Sequence, residues 1–494
     1  MNLESRQSRR FSPPAPTNLA ETGLPASLIE QLILKIIYFR GEIAGGDLSR
    51  AIGLKFNLLE EIVDWYKRQH ILEVKRSLGY GPVSEMLALT ESGRKIARDY
   101  LEINQYTGAA PVPISQYTEA VKAQRLAPNW LTPERLAKAY THMVVEENVL
   151  EQLGPAVNSG KSFLIYGQPG NGKTYLAEAL FNIRSSDVYV PYALECQGNI
   201  IHLYDPLFHQ RVEREGDGEE LFLDSPCDDR WALCRRPFIV TGGELCTPML
   251  DLSFNAVSKV YDAPYQLKAN NGTYLIDDFG RQKASPAEIL NRWIVPMERR
   301  VDYLSFLNGG KMSVPFETFL IFSTNVTPDK IGDEAFLRRI QYKMLLRSPD
   351  QQEFRTIFLR YCESRNLTPD LEILDAFISK HYTVPGRPFR RCHPRDVISQ
   401  AVDFLNFKGL SYELTEQVLD RAFASCFLPP REIEEDNQGP RSSRVEMDSA
   451  SAARSLAQLS SAVDSIRGGR PECQERASRS LCGGIDGQEL DTNS

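Results

Sequence analysis

Apolar residues first recur at helical spacing in Leu28, Ile29, Leu32, Ile33, Ile36 and Ile37, behind Ser27 and Glu30, which have the spacing of a capping box. A second short helix fits residues 46–52. Leu58, Leu59, Ile62, Val63 and Tyr66 repeat the period behind another capping pair, Asn57 and Glu60. Two short apolar segments follow, 71–74 and 86–89, parted by Gly79, Gly81 and Pro82, and Thr90 opens a helix containing Ile96, Ala97 and Tyr100. Residues 26–103 are therefore expected to form three helices, a two-stranded element and a closing helix. Residues 1–25 have little to bury and read as a flexible leader. The prolines of 104–131 read as a linker. Thr132 and Pro133 suit the cap and first turn of a helix running to Leu153. From Lys161 to about Ser348 strands alternate with helices; 349–428 reads as wholly helical. Residues 429–494, rich in Glu, Ser, Arg, Gly and Gln, are expected to be disordered.

Residues 26–103 resemble a winged helix-turn-helix in order, length and turn positions. In that family the third helix often enters the DNA major groove. Here it offers Lys55, Asn57, Lys67 and Arg68, but also Glu60, Glu61 and Asp64; the wing adds Lys75 and Arg76. The module is close to neutral, whereas DNA readers carry a clear basic face. Protein docking is thus at least as well supported as DNA binding.

The chemistry centres on Gly167-Gln168-Pro169-Gly170-Asn171-Gly172-Lys173-Thr174, entered directly from the apolar run Phe163-Leu164-Ile165-Tyr166. This is P-loop spacing in a strand-loop-helix context. Glycines let successive N–H groups converge on phosphate oxygens. Lys173 is expected to reach the β- and γ-phosphates, Thr174 to ligate Mg²⁺, and Tyr175 to complete the nucleotide-binding set. Thr273-Tyr274-Leu275-Ile276 is a second apolar strand, ending in Asp277-Asp278. Asp277 is expected to hold the Mg²⁺ shell, and Asp278 to orient the attacking water.

From about residue 134 to 428 these features, with three more, resemble the AAA+ ATPases. The run Phe319-Leu320-Ile321-Phe322-Ser323-Thr324-Asn325 looks like a sensor 1 strand, which implies that Asn325 helps place the lytic water. The segment 333–340 looks like the arginine-finger region and implies Arg339, with Arg338 the rival. Cys392-His393-Pro394-Arg395-Asp396 falls where sensor 2 is expected and suggests Arg395, with Arg390 and Arg391 still open. The resemblance implies an α/β fold, a P-loop NTPase parallel sheet with a C-terminal helical lid (132–348 and 349–428), ATP and Mg²⁺ as cofactors, and a homo-oligomeric ring, a hexamer. An Asp-Asp pair replaces the usual Asp-Glu, which puts turnover in question more than binding. A helix and an Asn308-Gly309 hairpin ahead of sensor 1 look like the pre-sensor-1 hairpin clade, which includes MoxR-type chaperones. Tyr204 and Phe208 lie near where such rings carry pore loops, though core packing suits both.

Composition narrows the setting. The chain has 494 residues, 42% apolar and 25% charged, ordinary for a globular protein of about three units. No window is apolar enough for a membrane span, and the basic, polar start is no secretory signal. Nine scattered cysteines suggest free thiols in a reducing, cytoplasmic setting. A net charge of −8 argues against a whole-protein grip on nucleic acid but allows a local basic patch. The acidic stretch 210–230 reads as a solvated insertion. Three functions fit: remodelling of a protein client with the winged helix as adaptor, a DNA-associated motor, and a nucleotide-gated scaffold that barely hydrolyses ATP.

Overall fold

The computed structural model describes residues 11–183, 186–213, 226–332 and 334–427. The expected tail from 429 and much of the acidic stretch 210–230 lie outside them. Residues 11–25, read as part of a loose leader, are held instead. Pro14 forms an isolated bridge with Cys227, the Ala15 amide donates to Pro226 O at 3.0 Å, and Thr22 is buried.

The first module comprises α1 (Ala26–Arg40), β1 (Glu42–Ala44), α2 (Gly45–Ile52), α3 (Phe56–Arg68), β2 (Leu72–Ser77), β3 (Glu85–Leu89) and α4 (Glu91–Ile103). Its strands form an antiparallel sheet ordered β1-β3-β2, with β1 too short to show in the apolar pattern. Neither early capping box forms. The caps of α1 and α3 are Pro25 and Lys55, without side-chain bonds, because both helices begin a residue or two sooner. Thr90 does cap α4, accepting the Gly93 amide at 3.1 Å.

The expected linker holds structure of its own. β4 (Val112–Pro113) and α5 (Ile114–Ala123) bury Val112, Tyr117, Ala120 and Val121, an apolar stripe that the surrounding prolines obscure. The single helix expected from Thr132 is two, α6 (Pro133–Ala139) and α7 (Glu147–Ser159), with a break at 140–146. Then come β5 (Phe163–Tyr166), α8 (Lys173–Glu178), β6 (Val188–Pro191), β7 (Ala193–Cys196), β8 (Asn199–His202), β9 (Trp231–Cys234) and β10 (Phe238–Thr241). They are followed by β11 (Ser253–Asn255), β12 (Val260–Asp262), α9 (Tyr265–Lys268), β13 (Thr273–Ile276), α10 (Pro286–Arg299), β14 (Val301–Ser305), β15 (Lys311–Pro315) and β16 (Phe319–Thr324). The remaining elements are α11 (Pro328–Ile331), α12 (Glu334–Leu337), β17 (Tyr342–Leu345) and four helices, α13 (Gln351–Ser364), α14 (Leu371–Ile378), α15 (His393–Lys408) and α16 (Glu416–Cys426).

The central sheet is parallel throughout, in the order β10-β13-β16-β5-β17. Its three middle strands, β13, β16 and β5, are buried apolar runs, as a parallel sheet covered on both faces requires, whereas β10 and β17 at the edges are partly exposed. A second, mixed sheet, β11-β12-β8-β7-β4, and the β6–β9 and β14–β15 pairs share one apolar cluster with α5. This layer interrupts the simple alternation expected after Lys161. The helices α13–α16 bury their own core around Phe354, Phe358, Phe377 and Leu419. Among the described residues no helix is long and apolar enough to cross a membrane.

The first module is not strung on a tether. Its core includes Ala193, Ile200 and Val260 from the second sheet. Arg230 lies at the seam, 1% exposed, paired with Asp228, itself 3% exposed, at 2.8 Å. Its Nη1 donates to Thr22 O at 3.0 Å, and the Nη2 that meets Asp228 also donates to Gln116 Oε1 at 3.2 Å. Asp228 is thus a buried ion-pair partner rather than part of a solvated insertion. Arg230→Ala would strand the Asp228 charge, a loss of about 3–5 kcal/mol. A thermal melt should show a large drop, and an unchanged midpoint would mean the pair holds nothing together.

Candidate functional site

Three neighbouring strands, β5, β16 and β13, end at the same edge of the central sheet. Their register pairs Thr324 with Tyr166 and Phe322 with Ile276, so Gly167, Asn325, Asp277 and Asp278 all emerge together. Ligands of open parallel sheets collect at this carboxyl edge.

The loop between β5 and α8 needs its glycines. Gly170 and Gly172 take φ of 78° and 82°, conformations that strain side-chain-bearing residues. A Cβ on Gly170 would also stand 2.6 Å from Cys392 Sγ. Among the described residues, the N–H groups of Asn171, Gly172, Lys173 and Thr174 have no protein acceptor. A row of convergent, unsatisfied amides is an anion cradle.

Lys173 is buried, and its ammonium donates to Gly167 O and Gln168 O, both at 3.1 Å, and to Asn325 Oδ1 at 2.6 Å. All three acceptors are neutral, so the positive charge is not cancelled by direct contact. Burial pulls its pKa below the usual lysine range, opposed by the charges of Asp278 and Asp277 and reinforced by Arg390. The Asn325 amide is oriented by its partners: its oxygen faces the ammonium, and its Nδ2 donates to Asp278 Oδ1 at 2.6 Å. Thr174 Oγ1 stands 2.8 and 2.9 Å from the two carboxylate oxygens of Asp277.

Asp278 itself has φ of 48°, an unusual conformation for a non-glycine residue. The turn is held there by Gln282, whose Nε2 donates to Asp277 O at 2.8 Å and Asp278 O at 3.2 Å, and by the Phe279 amide, which donates to Ser323 O at 2.7 Å. Gln282 has no motif signal in the sequence. Only the fold reveals it.

The helices after β17 close over the loop. The Cys392 amide donates to Gly170 O at 2.9 Å. Arg390 bonds Ser348 Oγ, which also accepts from Asn171 Nδ2 at 3.3 Å. Arg391 turns to Val144 O and to Glu353. Arg395 is exposed and pairs with Asp396 beside it at 2.9 Å. Of the three arginines left open by the sequence, Arg390 is the one placed against the P-loop. Tyr175 is half exposed, edge-on to His142 at 5.7 Å. Arg339 donates to Glu298 at 2.8 Å, whereas Arg338 is exposed. Tyr204 stacks on His209 and Phe208 meets Tyr265 edge-on, so both are engaged in packing.

Among the described residues no cluster of three or more His, Cys, Asp or Glu could cage a metal. Mg²⁺ needs no such cage when phosphates and waters complete its octahedron. The hydroxyl of Thr174 and the carboxylate of Asp277 are a hard oxygen pair fitting that use.

Residues 350–425, the four closing helices, match a family described only as a domain of unknown function (DUF8689). No curated protein matches the chain. Among solved structures, NtrX from Brucella abortus in complex with ADP is similar at 12% identity and a TM-score of 0.36, covering 71% of this chain and 70% of that one. The ATP complex of the same protein gives 13% and 0.34, over 70% of this chain and 66% of that one. Scores this low leave the argument to the loop, the strand order and the side chains themselves.

Proposed function

We propose that the chain is a Mg²⁺-dependent AAA+ ATP hydrolase. The observation that carries this reading is the meeting of Lys173, Asn325 and Asp278 in one hydrogen-bonded chain beside the Thr174–Asp277 pair. Phosphoryl transfer asks for positioning and charge neutralisation rather than covalent help. The loop amides and Lys173 would hold the phosphates, and Thr174 and Asp277 would hold Mg²⁺, which neutralises phosphate charge when bound. Asp278 would accept the proton of the attacking water, with Asn325 fixing its carboxylate. Arg390 would read the γ-phosphate from the lid. Arg338 and Arg339 lie just ahead of β17 at the sheet's end, suited to reach a neighbouring subunit of a ring, a hexamer. Phosphate release from the purified protein, with and without Mg²⁺, tests the assignment directly.

The work done is proposed to be remodelling of a protein client, with the N-terminal module, a winged helix by resemblance, as the docking part. Its cations support this over DNA reading. Lys67 is bonded to Asp64 and Glu85, and Lys75 pairs with Glu73 at 2.7 Å, so two of the cations that would face DNA are neutralised within the module. The helix followed by the β14–β15 hairpin ahead of β16 fits the pre-sensor-1 hairpin clade.

Asp278 also supports a second reading, a nucleotide-gated scaffold with slow turnover. Its carboxylate is a methylene shorter than glutamate and is already engaged by Asn325. Asp278→Asn should keep ATP affinity and lower turnover by about 10²–10⁴. If the variant hydrolyses ATP as fast as the parent, Asp278 is not the base and the scaffold reading gains.

A further inference from the structure

At the opposite edge of the central sheet, the amino ends of β10, β13 and β16 open onto a cleft of about 1480 Å³. Strands of four to six residues set it roughly 13–20 Å from the P-loop edge. Its described lining carries six arginines, Arg125, Arg135, Arg211, Arg235, Arg236 and Arg300, against two carboxylates, Asp187 and Glu317. That concentration is unexpected in a chain of net charge −8.

The arginines differ in how they are held, and Arg135 donates to Trp130 O at 2.7 Å. Arg236 donates to Asn271 O at 2.6 Å, Gln124 O at 2.7 Å and Ser186 O at 3.0 Å, and Arg300 donates to Gly160 O at 2.6 Å. These partners are neutral carbonyls, which fix the guanidinium without cancelling its charge. Arg125 is paired with Glu317 but half exposed. Arg211 and Arg235 are exposed at the cleft and make no side-chain hydrogen bond or ion pair among the described residues. Pinning of loop ends accounts for Arg236 and Arg300. It does not account for Arg211 and Arg235.

We infer that this cleft binds the phosphate backbone of a single-stranded nucleic acid. Guanidinium groups match phosphate geometry bidentately, and a groove of them tracks a backbone. The volume exceeds the roughly 300–1,000 Å³ of small-molecule pockets, which favours a polymer. Trp130 lines the same cleft, partly exposed, and offers an indole ring for a base to stack on. The near-neutral N-terminal module takes no part, and the inference does not depend on the ATPase reading.

The test is fluorescence anisotropy of a labelled 20-nucleotide oligothymidylate with the full chain, without ATP, over a range of KCl concentrations. Binding should weaken with salt, and Arg211→Ala/Arg235→Ala should lower affinity at least tenfold and flatten the log–log salt slope by about 1.4. Both residues are exposed, so circular dichroism and ATP affinity should be unchanged in the double variant. Absence of binding at low salt would overturn the inference. So would binding that survives the double variant but is lost in Lys75→Ala/Arg76→Ala, which would move the contact to the wing. Capture of poly-glutamate or inorganic polyphosphate in place of the oligonucleotide would likewise defeat it, leaving the cleft to an acidic protein or a simple polyanion.

Discussion

Lys173→Ala is expected to remove measurable nucleotide binding. The ammonium supplies the one buried, uncancelled cation inside the phosphate loop, and two carboxylates stand close behind it. A charge-assisted hydrogen bond is worth about 1.5–3 kcal/mol, and Lys173 is placed to make more than one to a triphosphate. Loss of more than about a hundredfold in affinity follows, deepened by repulsion between phosphate and the unshielded Asp277 and Asp278. The fold should persist, because Lys173 now bonds only to two loop carbonyls and Asn325. Titration with a fluorescent ATP analogue reads the effect. Undiminished affinity in a folded variant would mean that the nucleotide, if any, sits elsewhere.

The second large effect concerns the arginines ahead of β17. An arginine delivered to the γ-phosphate by a neighbour is worth about 10³–10⁵ in turnover. Arg339 is engaged with Glu298 on α10, whereas Arg338 is exposed and can leave its own subunit at little cost. Single alanine variants of each should keep ATP binding, and one of them should lose nearly all hydrolysis. Mixing that inactive variant with Lys173→Ala chains should restore part of the activity, since each then supplies what the other lacks. Failure of the mixture to recover would argue that the arginine acts within its own chain. Equal activity of both single variants would remove the finger from this segment.

Much of this site could be read from the amino acids alone because its parts are contiguous. Gly167 through Thr174 announce themselves by spacing, and the apolar runs before Asp277 and Asn325 have the length and burial of parallel strands. The positions hidden from a linear reading depend on distant partners. Arg390 and Arg395 are equivalent as letters. Only the path of the chain into α15 puts the first on Ser348 and leaves the second beside Asp396. Gln282 acts through backbone carbonyls, which carry no signature. The second sheet was illegible for another reason: its strands are three or four residues long or shorter, below the length at which alternation can be told from chance. The stripe on α5 was masked by prolines at its margins. Arg230, lying in an acidic stretch, gave no hint of burial.

The seam around Arg230 has a mechanical meaning. The leading helices share their apolar core with Ala193, Ile200 and Val260 of the β layer, and the buried Arg230 donates from that layer to Thr22 O just ahead of α1, so the first module and the β layer move as one piece. Any tilt of that layer would be carried to the outermost turn near Tyr80, as a pointer moves with its dial. Removal of residues 1–131 would not leave an intact remainder: it would strip the cover from Ala193, Ile200 and Val260 and from the apolar cluster that Val112, Tyr117 and Val121 complete.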